Sequence, residues 1–259
     1  MSDLWDLQAS RFSLATARDL AALSELSYRP EPEVRAVCDE GGLEFTWIED
    51  ERMDTQGFVC GDEDCVTVVF RGTESPLDWI TDLHATLTQH ASGVGRVHRG
   101  FYISYSLIER QLRDALKGLG SRNLLFTGHS LGGALAVLAA SDFSSPSRIT
   151  RLYTFGQPRV GDAAFIARVN ARVDGYHRFV NNNDVVARAP LEKWGFAHGG
   201  RLNHLDFRGG LHLDPMSWVV FVDRMIGRLK DFGKFGTDGI KDHSMSRYRK
   251  LVADLSPIP

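Results

Sequence analysis

The chain has 259 residues, with 30 lysines and arginines against 33 aspartates and glutamates and a formal net charge of −3, which leaves out the broad positive field of a nucleic-acid binder. Its 43% apolar and 24% charged residues are those of a globular domain long enough to bury a large core without staples. No apolar run approaches the roughly 18 residues of a transmembrane span, and the first thirty residues lack the basic start and apolar block of a standard secretory signal. The expectation is a cytoplasmic protein, one exported without such a signal, or a mature form.

In chain order, residues 14–27 place apolar side chains at three- and four-residue spacing and predict an amphipathic helix. Residues 41–50 and 58–60 alternate as short strands do. Val66-Thr67-Val68-Val69-Phe70 is β-branched and almost wholly apolar, as expected of a strand covered on both faces. Residues 102–119 read as a helix ended by Gly118 and Gly120, and Leu124-Leu125-Phe126-Thr127 as a second buried strand. Small apolar residues over 131–143 predict a helix packed tightly on a sheet. Short strands at 152–155 and 177–180 flank a helix at 162–173. Residues 191–215 read as loop with a hairpin near 202–207, then a helix over 215–232, a flexible loop over 233–239 and a last helix over 244–255. Strands alternating with helices predict one α/β domain over residues 1–259, with a mostly parallel central sheet and helices on both faces.

Charge is uneven: residues 1–65 hold 5 basic and 16 acidic side chains, whereas 66–200 hold 15 and 10. An acidic outer layer on a mildly basic body accounts for this without a specific partner. Three cysteines, Cys38, Cys60 and Cys65, are too few for a disulfide scaffold. Cys60 and Cys65 flank Gly-Asp-Glu-Asp and can face each other across a hairpin; free thiols in a reducing compartment are the simpler reading.

The strongest chemical signal is Gly128-His129-Ser130-Leu131-Gly132 between a strand and a helix. A sharp turn there pushes the serine hydroxyl out at the top of the sheet, beside the free N–H groups and positive end of the helix. Serine needs a base, and the base an orienting acid, which in such folds follow in the order Ser, Asp, His. Asp184, at the end of the strand at 177–180, lies where ligands bind in open α/β sheets; Asp174 and Asp162 are rivals with helix placement. Nine histidines compete for the base. His84, His90 and His98 precede the turn, His129 buttresses it, and His177 opens a strand. His198, His204, His212 and His243 all remain.

Four blocks resolve this by likeness. They are Phe70-Arg71-Gly72-Thr73 followed by Asp78-Trp79-Ile80-Thr81-Asp82-Leu83, then the Gly-His-Ser-Leu-Gly-Gly turn, then Thr154-Phe155-Gly156-Gln157-Pro158-Arg159-Val160-Gly161, then Asn183-Asp184-Val185-Val186-Ala187-Arg188-Ala189-Pro190. Together they resemble the class 3, fungal-type lipases, an α/β-hydrolase family. The resemblance implies Ser130 as nucleophile, Asp184 as acid and His243, in Asp242-His243-Ser244, as base. It assigns Trp194–Gly200, with His198, to a non-catalytic block. The implied oxyanion hole is the backbone N–H of Leu131 with that of Thr73. A lid is implied just after Thr73, where Leu77, Trp79, Ile80 and Leu83 are apolar and Trp79 and Leu83 share a helix face with Ile80 beside them; a surface helix packed on the core would read the same way.

The expected function is hydrolysis of lipid esters, triacylglycerol-like, through an acyl-enzyme on Ser130. The alternatives are a phospholipase A1, a short-chain carboxylesterase, or a non-catalytic lipid-binding module, against which the complete Ser-Asp-His set speaks. No cofactor is expected. His198, His204 and His212 are six and eight residues apart, and neither they nor the cysteines show zinc-ligand spacing. The partners expected are an ester substrate and transient contact with a lipid interface, with no nucleic acid and no transmembrane segment.

Overall fold

Runs rich in Val, Ile, Phe and Thr favour extended backbone, and in the computed structural model those runs build one continuous sheet. The structure describes residues 12–73, 86–118, 120–230 and 241–256. Its strands are β1 (Glu44–Asp50), β2 (Thr55–Gly61), β3 (Cys65–Phe70), β4 (Leu87–Gln89), β5 (Arg96–His98), β6 (Asn123–His129), β7 (Thr150–Phe155), β8 (Gly175–Asn181), β9 (Arg201–Leu205) and β10 (Leu211–Leu213). Eight of them lie in the order β1-β2-β3-β6-β7-β8-β9-β10, and β4 pairs with β5 separately. Strands β3, β6, β7, β8 and β9 are parallel, with antiparallel β1, β2 and β10 at the two edges. This is the mostly parallel sheet that the alternation of elements predicts.

The helices are α1 (Leu14–Leu26), α2 (Glu31–Glu40), α3 (Arg99–Ala115), α4 (Leu131–Phe143), α5 (Ala163–Arg172), α6 (Ser217–Lys230) and α7 (Met245–Asp254). Alternate residues of each central strand serve opposite faces. Leu124 and Phe126 of β6 join Phe101, Leu135 and Phe165 of α3, α4 and α5 on one face. Leu125 joins Leu20, Tyr248 and Val252 of α1 and α7 on the other. Each fully buried Leu, Val or Phe contributes about 1.5–3 kcal/mol relative to exposure, so both faces resist opening. Helix α4 is buried from Leu131 to Ser141. Its small residues matter at Gly132, where a Cβ would lie 2.2 Å from the carbonyl oxygen of Phe70; only glycine lets the helix start sit against the end of β3.

Several elements differ from expectation. Helix α2 has only Val34 and Cys38 as its buried residues, too weak a periodic signal to read, although Pro32 in its first turn marks a helix start. Helix α3 begins at Arg99, because the His98 side chain accepts from Phe101 N–H and caps it. The hairpin expected near 202–207 is β9 and β10, and β9 extends the parallel sheet. The thiols of Cys38, Cys60 and Cys65 are free and buried. Cys60 of β2 packs with Val34 and Cys38 of α2, whereas Cys65 of β3 packs with Leu125 of β6 and Ala17 and Leu20 of α1 in a separate cluster. The lid candidates Leu77, Trp79, Ile80 and Leu83, together with His84 and the loop at 233–239, lie outside the described residues. No described helix is long and apolar enough to cross a membrane.

Candidate active site

Adjacent parallel strands end at one edge, and their following loops meet there. Ser130 follows β6, Gly156 follows β7, and Asp184 stands three residues after β8. Ser130 has φ 57° and ψ −123°, a conformation that costs of order 1–3 kcal/mol for a residue with a side chain. The surroundings hold it there: its N–H donates to the Phe155 carbonyl at 3.0 Å. A Cβ on Gly128 would meet Gly132 backbone at 2.4 Å, so the turn closes only without one.

Asp184 is fully buried. Burying a carboxylate is costly unless donors replace water, and four do. Val186 and Ala187 N–H donate to Oδ1 at 2.9 and 3.3 Å. Tyr248 O–H donates to Oδ2 at 2.7 Å, and His243 Nδ1 lies 2.9 Å from the same oxygen. The preceding Asn182 has φ 35°, a left-handed value that asparagine tolerates, and it turns the chain so that Asp184 points inward. An Nδ1–H donor to carboxylate fixes the imidazole's tautomer and leaves a lone pair on Nε2. That Nε2 is buried without a hydrogen-bond partner among the described residues.

Neighbouring contacts bring this pair to the serine turn. The rings of His129 and His243 are 4.5 Å apart, and a Cβ at Gly156, beside Phe155, would sit 2.9 Å from His243 Cε1. Asp242 anchors the base segment to the acid loop, accepting from Asn183 N–H and Asn182 Nδ2 at 3.1 Å each. Burial holds the Asp242 carboxyl above its ordinary range, against the Arg247 ion pair that pulls it down. The two expected oxyanion donors flank the serine. Leu131 opens α4, whose first-turn N–H groups have no partner within the helix. Thr73, half-buried, follows Gly72, where a Cβ would lie 3.3 Å from Ser130 Cβ.

The rival residues are engaged elsewhere. Asp162 caps α5, accepting from Phe165 N–H, and Asp174 accepts from Thr150 N–H at the far end of β7. His198 Nε2 meets the Ala187 carbonyl at 2.7 Å, and burial drives its basicity well down. His204 pairs with Asp223 and His212 with Asp206. Among the described residues no group of three or more His, Cys, Asp or Glu can hold a metal ion. The remaining constellation is a hydroxyl on a strained turn, an imidazole oriented by a buried carboxylate, and backbone donors on either side. Such a set can transfer an acyl group.

Comparison with known proteins agrees with this chemistry. The Lipase (class 3) family model matches residues 67–194. The solved triacylglyceride lipase of Rhizomucor miehei superposes with a TM-score of 0.64 and 31% identity, covering 76% of this chain and 82% of its own. The chain belongs to the class 3 lipase family. A curated lipase of Rhizomucor miehei is 40% identical over 159 residues, 57% of this chain and 44% of its own length. A secreted mono- and diacylglycerol lipase A of Penicillium cyclopium is 32% identical over 177 residues, covering 64% and 56%. The chain thus spans about half the length of these curated relatives.

Three contributors to this lipase-family site carry at most a weak sequence signal. Tyr248 lies on the buried stripe Met245, Tyr248 and Val252 of α7; a tyrosine in such a stripe must satisfy its hydroxyl, which was the available hint. Asp242 acts through Asn182 and Asn183, and Tyr28 through His129 Nδ1, 2.7 Å from its hydroxyl, all partners distant in sequence.

Proposed function

We propose that this chain hydrolyses carboxylic esters of lipids through an acyl-enzyme, with Ser130 as nucleophile, His243 as base and Asp184 as its orienting acid. Ser130 Oγ attacks the ester carbonyl carbon while His243 Nε2 takes the hydroxyl proton. Asp184 holds the tautomer and stabilises the imidazolium. The carbonyl oxygen, now negative, accepts from the N–H groups of Leu131 and Thr73; losing one such donor typically costs about 2.7–4 kcal/mol of transition-state stabilisation. The intermediate collapses as His243 returns the proton to the leaving alkoxide. Water, deprotonated by the same imidazole, then releases the acid. One observation carries this reading: the buried Asp184–His243 pair at 2.9 Å, with Nε2 left open and the imidazole 4.5 Å from the ring of His129, the residue before the strained Ser130.

A lipid substrate rather than a small soluble ester is supported by the relatives, which are triacylglyceride and mono- and diacylglycerol lipases. It is also supported by helix α6. Trp218, Phe221, Val222 and Met225 recur there at three- and four-residue spacing and are exposed, an apolar face turned to solvent. Arg224 Nε on that helix donates to the Asn182 carbonyl at 3.3 Å, which ties the face to the acid loop. Transient contact with a lipid surface is its proposed use. A chain-length series of nitrophenyl esters, run below and above substrate solubility, tests both proposals. Turnover rising with chain length and above the solubility limit is expected. Turnover confined to short, dissolved esters contradicts the lipid assignment, and no turnover contradicts the hydrolase.

A further inference from the structure

The elbow imidazole of His129 makes two directed contacts. Its Nε2 lies 2.6 Å from the backbone carbonyl of His243, and a carbonyl only accepts, so Nε2 carries the proton. Nδ1 then has a lone pair, and the Tyr28 hydroxyl 2.7 Å away must donate to it. Both ring nitrogens are used, and the geometry admits one tautomer. Burial, with His243 nearby, keeps this ring neutral well below the ordinary histidine range. Its plane lies 34° from that of His243, centroids 4.5 Å apart.

Tyr28 closes the cluster from the other side. A Cβ on Gly72 would meet the Tyr28 hydroxyl at 2.3 Å and the His129 carbonyl at 2.6 Å. The phenol therefore lies between the Thr73 loop and the elbow. The base segment is then fixed at two points. Asp242 ties it to the acid loop, and the His243 carbonyl ties it to the residue preceding Ser130. The first bond sets His243 relative to Asp184. The second sets it relative to the nucleophile.

We propose that His129, locked in its Nε2–H tautomer by Tyr28, is a positioning residue that registers the His243 segment against the Ser130 turn. The inference rests on the reading of Ser130, Asp184 and His243 as a triad. Its consequence is on turnover rather than binding, because a misplacement of about 1 Å at the reacting groups costs about 10²-fold.

The test is kcat and KM on a soluble short-chain ester, with thermal unfolding, for His129→Phe, His129→Gln, Tyr28→Phe and His243→Ala. Phenylalanine keeps the ring volume without the donor; glutamine puts an amide N–H near the Nε2 position. His129→Phe should lose about 10²-fold in kcat with KM within threefold. His129→Gln should recover at least tenfold of that loss at a similar melting temperature, which a purely structural role would not produce. Tyr28→Phe, which frees the tautomer, should lose about tenfold and serves if His129→Phe does not fold. Tyr28→Phe and His129→Phe both within twofold of the parent, or His129→Gln no better than His129→Phe, overturn the proposal. An active His243→Ala would instead overturn the triad reading on which it rests.

Discussion

Gly156 gives a steric test of the Asp184–His243 pair. It has φ +59°, and a Cβ built there lies 2.8 Å from Asp184 Oδ2 and 2.9 Å from both Nδ1 and Cε1 of His243. Ordinary carbon contacts begin near 3.4 Å, so Gly156→Ala forces the pair back by about half an ångström, against misplacement costs of about 10²-fold per ångström. Alanine at positive φ adds about 1–2 kcal/mol of strain. Gly93→Ala isolates that strain, because Gly93 has φ +74° and nothing within 4 Å of its would-be Cβ. On a soluble nitrophenyl ester, Gly156→Ala should lose about 10- to 100-fold in kcat with little change in KM, whereas Gly93→Ala loses only melting temperature. A Gly156→Ala enzyme with kcat within twofold of the parent would refute the geometry.

Three further outcomes follow from the same contacts. His243→Ala should lose several orders of magnitude in kcat and His198→Ala less than tenfold, since His198 Nε2 is held by the Ala187 carbonyl; steady-state kinetics of the two would expose a misplaced base by the reverse order. Tyr248→Phe removes a donor to Asp184 and orphans the Asn181 N–H that bonds the same hydroxyl at 2.8 Å, so urea unfolding should show a loss of about 1.5–3 kcal/mol or more. Burial holds His98 and His177 down at about 4, while unfolded imidazoles titrate near 6.5. Their stabilisation is complete above pH 6.5 and lost as pH falls toward 4, by at most about 3 kcal/mol each. Asp19, raised by burial to about 6, acts oppositely: its contribution is present in acid and lost as pH rises through 6. Two histidines outweigh one carboxyl, so the urea midpoint should fall between pH 6.5 and 4, and a flat midpoint contradicts this.

Much of the fold is legible because buried parallel strands leave no polar face. Every residue of β3 is buried, and the apolar run at 66–70 announced it. The serine turn is legible because its glycines are forced by backbone approach within a few residues. Strand β9 is less so: Asn203 and His204 are buried polar residues, and the partner that satisfies His204 is Asp223, nineteen residues on. Which histidine faces Asp184 is hidden for the same reason, because it depends on what each second nitrogen meets. Tyr248 is 64 residues from Asp184 and Tyr28 is 101 from His129; at such separations spacing carries no information, and only folding brings the partners together.

The central claim is that Ser130 forms the acyl-enzyme. A fluorophosphonate reports this directly, since it bonds covalently only to a serine activated by its base, and peptide mass spectrometry then locates the adduct. One phosphonate per chain on the peptide carrying Ser130, lost in Ser130→Ala and strongly slowed in His243→Ala, is the expected result. Labelling at another serine, or equal labelling of Ser130→Ala, would contradict it.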